Sequence, residues 1–250
     1  MHIATWNVNG IRAREAQFCE WLKAHAPDVV CIQEIKASAD QLPASVKQLD
    51  DYWAYWHESS KGYSGVALFM RKSRFESQPV FCHPAFDMES RLVEGVFDNT
   101  RFASVYMPNG GKDYAAKIAF YQAMVEHVRE VHARGERLVI CGDVNIALTD
   151  KDVHPSQQKA DVIGQRPEER ALFQQLLDLG LVDTTRVVRP DDDRFFTWWP
   201  YWKEARKRNI GWRIDGIYTS TSLGWRVTSA DVLAEFGTSD HAPLHVRFEA

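Results

Sequence analysis

Four carboxylates, Glu34, Asp143, Asp215 and Asp240, sit beside short apolar runs, and polar partners accompany them: Asn7, Asn9, Tyr106, Asn109, Asn145 and His241. An ionised carboxylate in apolar surroundings is costly unless it is hydrogen-bonded, paired or bound to a cation. Taken singly, each acid reads better as a loop cap or a surface ion pair. Taken together, they follow the pattern by which a rigid scaffold presents chemistry from its strand ends. An oxygen-rich set suits a hard divalent cation such as Mg2+, which binds one or two carboxylates together with water and substrate phosphate. The chemistry to expect is hydrolysis of a phosphate ester. In "TSDHAPL", 238–244, His241 directly follows Asp240, and "GWRIDG" offers Asp215 as its partner. A buried carboxylate on one ring nitrogen fixes the tautomer or favours the imidazolium, which can then meet a phosphate oxygen.

A second feature is "TWWPYWKEARKRNIGWRID", 197–215, in which Trp198, Trp199, Trp202 and Trp212 are interleaved with Lys203, Arg206, Lys207 and Arg208. Cations for backbone phosphates and rings for an extruded sugar are what a nucleic-acid groove needs. Nine tryptophans in the chain also have a core to fill.

The elements that must position these groups are read from apolar periodicity. Strands are expected at "HIATWNV", "DVVCIQE", "GVALFMR", "RLVEGVF", "RFASVYM", "RLVICGD", "RIDGIYT" and "PLHVRFE". In "LVICGDVNIAL", 138–148, strand alternation would put Asp143 and Asn145 on one face if the strand persists through 145. One helix is expected over 113–134, with Ile118, Tyr121, Val125, Val128 and His132 inward and Gly135 as its stop. A second spans Glu168 to Leu179, with Leu172, Phe173, Leu176 and Leu177 inward, and a third holds Phe18, Trp21 and Leu22. The runs between 65 and 107 are joined by short turns, which suits an antiparallel meander better than a doubly wound parallel sheet. Strands packed in layers with helices outside follow. No repeat, low-complexity tract or linker interrupts the chain, so 1–250 is expected to be a single catalytic domain.

The motifs "WNVNGIR", "CIQEIK", "GYSGVALF", "YMPNG", "GDVNIA", "GWRID" and "SDHAPL" occur in this order, and over nearly its whole length the chain resembles the exonuclease III type of apurinic/apyrimidinic (AP) endonucleases. The resemblance implies an α/β fold of four layers, two packed mixed or antiparallel β-sheets flanked by helices. It implies a Mg2+ site, with Mn2+ as substitute, among Asn7, Glu34, Asp143, Asn145, Asp240 and His241, Glu34 being the principal ligand. Asp143 would orient or deprotonate the attacking water, Asn145 would position it, and His241, steadied by Asp215, would bind the scissile phosphate together with Tyr106. Trp198, Trp212 and Ile214 would form the pocket for a flipped, base-free sugar, with Asn109, Arg12 and Lys112 on the DNA. The basic residues Lys61, Arg71 and Lys72 are further candidates for phosphates, although charges such as Arg71 and Lys72 at a strand end also serve to discourage edge pairing. Three positions depart from the family pattern: Asn9 stands where many relatives have Asp, Lys112 where some have Arg, and Ser90 where Gly is usual.

The activity implied is incision of duplex DNA 5′ to abasic sites, leaving a 3′-hydroxyl, with 3′-phosphodiesterase, 3′-phosphatase or 3′-to-5′ exonuclease activity on blocked 3′ ends. The rivals are a related hydrolase of RNA, inositol phosphates or sphingolipid, which would need another pocket in place of "TWW…GWRID", and a DNA-binding module without activity. The composition, 45% hydrophobic and 26% charged, is that of a globular chain able to bury a large core. A formal net charge of −4 excludes a global basic field, so a polyanion must be held by local clusters or through a cation. Cys19, Cys31, Cys82 and Cys141 form no metal pattern and read as reduced packing residues. The first apolar run begins at residue 2 and none reaches the roughly 20 residues of a membrane helix. A cytoplasmic monomer without membrane contact is the expectation.

Overall fold

Two six-stranded sheets lie face to face in the computed structural model, which describes residues 1–58 and 62–249; Lys61 lies outside the described residues. The chain runs through β1 (His2–Asn7), α1 (Glu15–His25), β2 (Val29–Gln33), α2 (Ala44–Lys47), β3 (Tyr52–His57) and β4 (Val66–Arg71). It continues through β5 (Val80–Cys82), β6 (Leu92–Phe97), β7 (Thr100–Tyr106), α3 (Tyr114–Ala133) and β8 (Arg137–Asp143). Then come α4 (Pro167–Asp178), β9 (Leu181–Asp183), α5 (Thr184–Val188), β10 (Asp215–Ser220), β11 (Arg226–Val232) and β12 (Leu244–Glu249). The first sheet has the order β11-β12-β1-β2-β4-β3 and the second β5-β6-β7-β8-β10-β9.

Strand alternation sorts the side chains into layers. Ile3, Val29, Cys31, Leu68 and Met70 of the first sheet meet Val93, Phe102, Val139, Cys141 and Ile217 of the second. The alternate residues Ala4, Trp6, Val30, Ile32 and Phe69 pack outward on α1, while Ala103, Val105, Leu138 and Ile140 pack on α3 and α4. The sandwich therefore has the four layers expected. All four cysteines are unpaired, Cys31 and Cys141 being buried where the sheets meet. Among the described residues no helix is long and apolar enough to cross a membrane.

The meander expected over 65–107 holds only in part. β5, β6 and β7 pair antiparallel in the second sheet, but β4 pairs with β2 and β3 in the first. The chain changes sheets between Arg71 and Val80, because β4 buries both faces between β2 and β3. In α3 the buried residues are Lys117, Phe120, Tyr121, Met124, Val125, Val128 and Val131. Ile118 and His132, expected inward, are half-buried at the edge of a wider apolar face.

One parallel pair at the centre of each sheet decides where the site forms. β1 and β2 are parallel through the α1 crossover, and β7 and β8 through α3; every other pairing is antiparallel. Parallel neighbours end together. Asn7 is in register with Gln33, and Tyr106 with Asp143, while antiparallel β10 begins at Asp215, opposite Asp143. By the same logic Arg71 and Lys72 go to the far end: Met70 pairs with Val29, at the start of β2, and the Arg71 Nη1 donates to the Ala26 carbonyl. They are not placed to share DNA with the cleft.

At that far end a histidine chain ties β1, β12 and α1 together. Trp21 Nε1 donates to His245 Nε2 at 2.9 Å, so His245 carries its proton on Nδ1, which lies 2.9 Å from His2 Nε2. Burial and the nearby Arg247 hold His2 down to about 4, and burial, His2 and His25 hold His245 down to about 3. A folded-state pKa below the ordinary histidine value makes this contribution complete above pH 6.5 and eroded as pH falls from 6.5 towards 4. Urea unfolding at pH 7.5 and 5.0 should show a loss of stability at the lower pH that is smaller in His245→Gln, which keeps the hydrogen bonds and cannot charge. An equal loss in both proteins would exclude this histidine as its source.

Candidate active site

Gly142 is the first requirement of the site. At φ 145° its α-carbon passes so close to β7 that a Cβ would lie 2.0 Å from the Val105 carbonyl oxygen. Asp143 therefore ends β8 hard against its parallel neighbour β7, in register with Tyr106. The strand does not persist through Asn145, which adopts a left-handed φ of 51°. The expected shared face is replaced by a turn in which the Asn145 backbone N–H donates to Asp143 Oδ1 at 2.9 Å. The Asn145 Nδ2 donates to the Met107 carbonyl at 2.9 Å and its Oδ1 accepts from Asn109 Nδ2 at 3.2 Å, leaving one amide hydrogen for the cleft. Glu34, just past β2, is also left-handed, at φ 51°.

Asn7 joins the two acids. Its Nδ2 donates to Glu34 Oε1 at 2.8 Å and to Asp143 Oδ2 at 2.9 Å, while its Oδ1 accepts from the Asn9 backbone N–H at 3.0 Å. It enters the cluster as a donor clamp, with its oxygen turned away. Lys36 Nζ neutralises Glu34 from outside, 2.6 Å from Oε2, and also donates to Asn9 Oδ1 at 2.7 Å. Opposite, His241 Nδ1 lies 2.9 Å from Asp215 Oδ2, and its Nε2 lies 3.8 Å from Asp143 Oδ2. Asp215 Oδ1 is buried without a hydrogen-bond partner, so the compensation of that acid rests on His241.

These distances set the protonation states. Burial alone would lower the His241 pKa, but Asp215 and Asp143 outweigh it and raise it to about 10, so the ring is an imidazolium at neutral pH. Burial pushes Asp143 up to about 8; His241 opposes the shift, and Asp215 and Glu34 add to it. Burial, then Glu34 and Asp143, raises the Tyr106 phenol far above its ordinary value, so it keeps its proton. Burial would raise Asp240 too, but His241 and the hydrogen bonds from Asn9 and Trp198 hold it below the usual carboxylate range.

Glu34, Tyr106, Asn109, Asp143, Asn145, Trp198, Trp212, Ile214, Asp240 and His241 all face one cleft of ≈ 290 Å³. Its apolar wall holds the Trp198 and Trp212 rings edge to face at 5.8 Å, with Ile214 beside them and Ala147 and Val153 behind. Of the other expected residues, Asn7 and Asp215 lie behind this surface as supports, and Arg12 is exposed on the turn that precedes α1. Lys112 stands over the Tyr63 ring at 5.3 Å, in a groove of ≈ 540 Å³ that shares Glu34, Tyr106 and Asn109 with the cleft. Trp199 is buried, and Arg206 donates to the carbonyls of Ala234, Phe236 and Ser239, so both hold the fold rather than present a surface. Ser90 takes a left-handed φ of 55°, which explains why glycine suits the position; its hydroxyl donates to the Glu58 carbonyl at 2.9 Å.

The sequence reading assigned no role to Lys36 or to Ile163, which also lines the cleft. Lys36 stands within the quoted "CIQEIK", where charge complementarity to Glu34 was the available signal. Ile163 stands beside Val162 in the otherwise mostly polar stretch "KADVIGQRP", too short an apolar run for a period to mark it.

The donor set fits a hard divalent cation. Glu34, Asp143 and His241 each bring a ligand-type atom to within 4.8 Å of the others. Burial, with Asp215 and Glu34 adding to it, raises the Asp143 carboxyl, and a cation would supply the charge that favours its ionised form. The two carboxylates are the natural ligands, because His241 is protonated and committed to Asp215. Asp240 stands at the rim with both oxygens engaged: Oδ1 accepts from Asn9 Nδ2 at 2.8 Å and Oδ2 from Trp198 Nε1 at 3.0 Å.

Residues 4–241 match the model of the Endonuclease/Exonuclease/phosphatase family. An exodeoxyribonuclease of Bacillus subtilis is 33% identical over 98% of both chains. A solved structure of a 3′ phosphatase from Neisseria, bound to product DNA hairpin, superposes with a TM-score of 0.89 at 33% identity over the whole of both chains. An AP endonuclease from Archaeoglobus fulgidus gives 0.88 at 27% identity, again over both whole chains.

The His241–Asp215 pair generates a direct expectation. In metal-free protein, the His241 ring followed by NMR should remain protonated from pH 6 to 8 and titrate near 10. In Asp215→Asn the midpoint should fall by at least one unit. A midpoint near 6.5 in the native protein would contradict the pairing.

Proposed function

The chain belongs to the endonuclease/exonuclease/phosphatase family and is a hydrolytic DNA-repair nuclease, and from that premise we propose that it incises duplex DNA on the 5′ side of abasic sites, using Mg2+ or Mn2+ and leaving a 3′-hydroxyl. Processing of blocked 3′ ends belongs to the same proposal. The observation that carries the reading is the small apolar recess of Trp198, Trp212 and Ile214, which opens directly beside Asp143 and His241 in one cleft of ≈ 290 Å³. A base-free deoxyribose turned out of the helix suits such an apolar recess beside the reacting groups.

Hydrolysis of a phosphodiester needs an in-line nucleophile and neutralised non-bridging oxygens. With the sugar in the recess, the phosphate faces His241 and Tyr106. The imidazolium places a full positive charge against an oxygen, and the protonated phenol can donate a hydrogen bond to another. Asp143 in its ionised form accepts the proton of the attacking water, and the remaining Asn145 amide hydrogen orients that water. Glu34 and Asp143 would hold a divalent cation, which would supply Lewis acidity to the phosphate and favour the ionised acids.

The decisive assay incubates the protein with a labelled duplex carrying one stable abasic analogue, beside an undamaged 3′-recessed duplex and one ending in a 3′-phosphate. Incision 5′ to the analogue with Mg2+ and none in EDTA is expected; digestion of the undamaged duplex alone would overturn the proposal. Asp143→Asn should lower turnover about 100-fold or more while binding to the abasic duplex is preserved. In Trp212→Ala the preference for the abasic over the base-bearing site should narrow about tenfold, read as a ratio of kcat/KM. An unchanged ratio would remove Trp212 from the pocket.

A further inference from the structure

Beyond β8 the chain leaves the sheet, and the carbonyl oxygens of Val144 and Asn145 point into the interior, where each must find a donor. Both donors come from one face of α3, four residues apart. The Tyr121 hydroxyl donates to the Val144 carbonyl, and Lys117 Nζ donates to the Asn145 carbonyl at 2.8 Å. The spacing i and i+4 stacks the two side chains one above the other, so they grip consecutive carbonyls. Lys117 is completely buried, and its ammonium lies 2.6 Å from Oε1 of Glu169, also completely buried, on α4. Glu169 Oε2 in turn accepts the backbone N–H groups of Gly164 at 2.7 Å and Arg166 at 3.1 Å.

One buried ion pair thus fastens two loops of the cleft. The first carries Asn145; the second carries Ile163 and Gly164, against which Trp212 packs so closely that a Cβ on Gly164 would lie 3.0 Å from its ring. The loops are also joined directly, Ala147 N–H to the Gly164 carbonyl at 2.8 Å. The Lys117 stem supports a third loop, since a Cβ on Gly110 would lie 2.8 Å from Lys117 Cδ, next to the Asn109 that binds the Asn145 side chain. A tyrosine or a serine could satisfy a carbonyl without the cost of burying a charge. The lysine does more, because its charge draws α4 and the Gly164 loop to the same point. Asn145 holds a left-handed conformation, which a residue other than glycine keeps only where its surroundings enforce it.

We propose that Lys117 and Tyr121 are positioning residues of the reaction: through the Asn145 and Val144 carbonyls they hold the Asn145 amide at the attacking water, while the Lys117–Glu169 pair holds the sugar recess in register with it. The proposal rests on the function given above. Kinetics on the abasic duplex test it with the native protein, Lys117→Met, Tyr121→Phe and the double variant Lys117→Met/Glu169→Gln, each with its Tm. Lys117→Met should lose about 10- to 100-fold in kcat with KM changed by no more than about threefold, and Tyr121→Phe about tenfold in kcat. The double variant, which leaves no unpaired buried charge, should regain Tm without regaining kcat. Recovery of kcat together with Tm would show a merely structural pair and overturn the proposal, as would native kcat in Tyr121→Phe. Tyr121→Phe retains its ring packing, so it decides the matter even if the Lys117 variants do not fold. Failure of the native protein to incise would instead count against the function itself.

Discussion

Three acids, Glu34, Asp143 and Asp215, are gathered around one histidine and one asparagine amide at the same end of the sandwich, and the structure of that end follows from keeping them there. Burial displaces Asp143 to about 8, and the like charges of Asp215 and Glu34 add to the resistance to joint ionisation. The protein answers with one full positive charge inside, His241, one outside, Lys36, and the two hydrogens of Asn7. None of these neutralises the cluster completely. The deficit left over is what makes the place a receptor for a divalent cation and, through it, for a phosphate.

Such a cluster requires that independent strands end together without becoming neighbours in sequence. The two parallel pairs achieve this, one in each sheet, because each delivers two carboxyl-terminal ends to the same edge and their crossover helices cover the outer faces. Antiparallel β10 then begins where β8 ends, which puts Asp215 beside Asp143 in register. A sandwich of antiparallel hairpins alone would send half of these ends to the opposite edge. That is the fate of Arg71 and Lys72, whose strand runs against β2.

Much of this was legible in the sequence, and the limits have physical reasons. Apolar runs ending in polar residues marked eight strands and the polar side chains of the cleft, because burial on both faces leaves a continuous hydrophobic signature, whereas Trp198, Trp212 and Ile214 were implied by the family resemblance. β3 was missed because "YWAYWH" is aromatic and only half-buried, and β11 because "RVTSADV" is a mostly exposed edge strand. β5 and β9, three residues each, are too short to show a period. The direction of β4 relative to its neighbours is a tertiary property, which no local pattern contains. Lys117 illustrates the same limit at the site: on a helix, a lysine reads as surface charge, and only the partner on α4 makes its burial tolerable.

The chain's net charge of −4 sharpens what the cleft must do. A DNA backbone approaching this surface meets carboxylates before it meets a general positive field, so affinity must come from discrete positions. Around the cleft these include His241 within it, Lys36 against Glu34, and Lys112 and Arg91 in the adjoining groove. Each lies near an acid or an aromatic face rather than on an open basic patch, and such charges reward one placement of a phosphate over its neighbours. On the proposed function, the depth to which a sugar enters the Trp198–Trp212 recess would then govern whether the phosphate reaches His241 at all. Selection of the nucleotide and positioning of the bond to be cut would in that case be one event, carried by the same wall of the cleft.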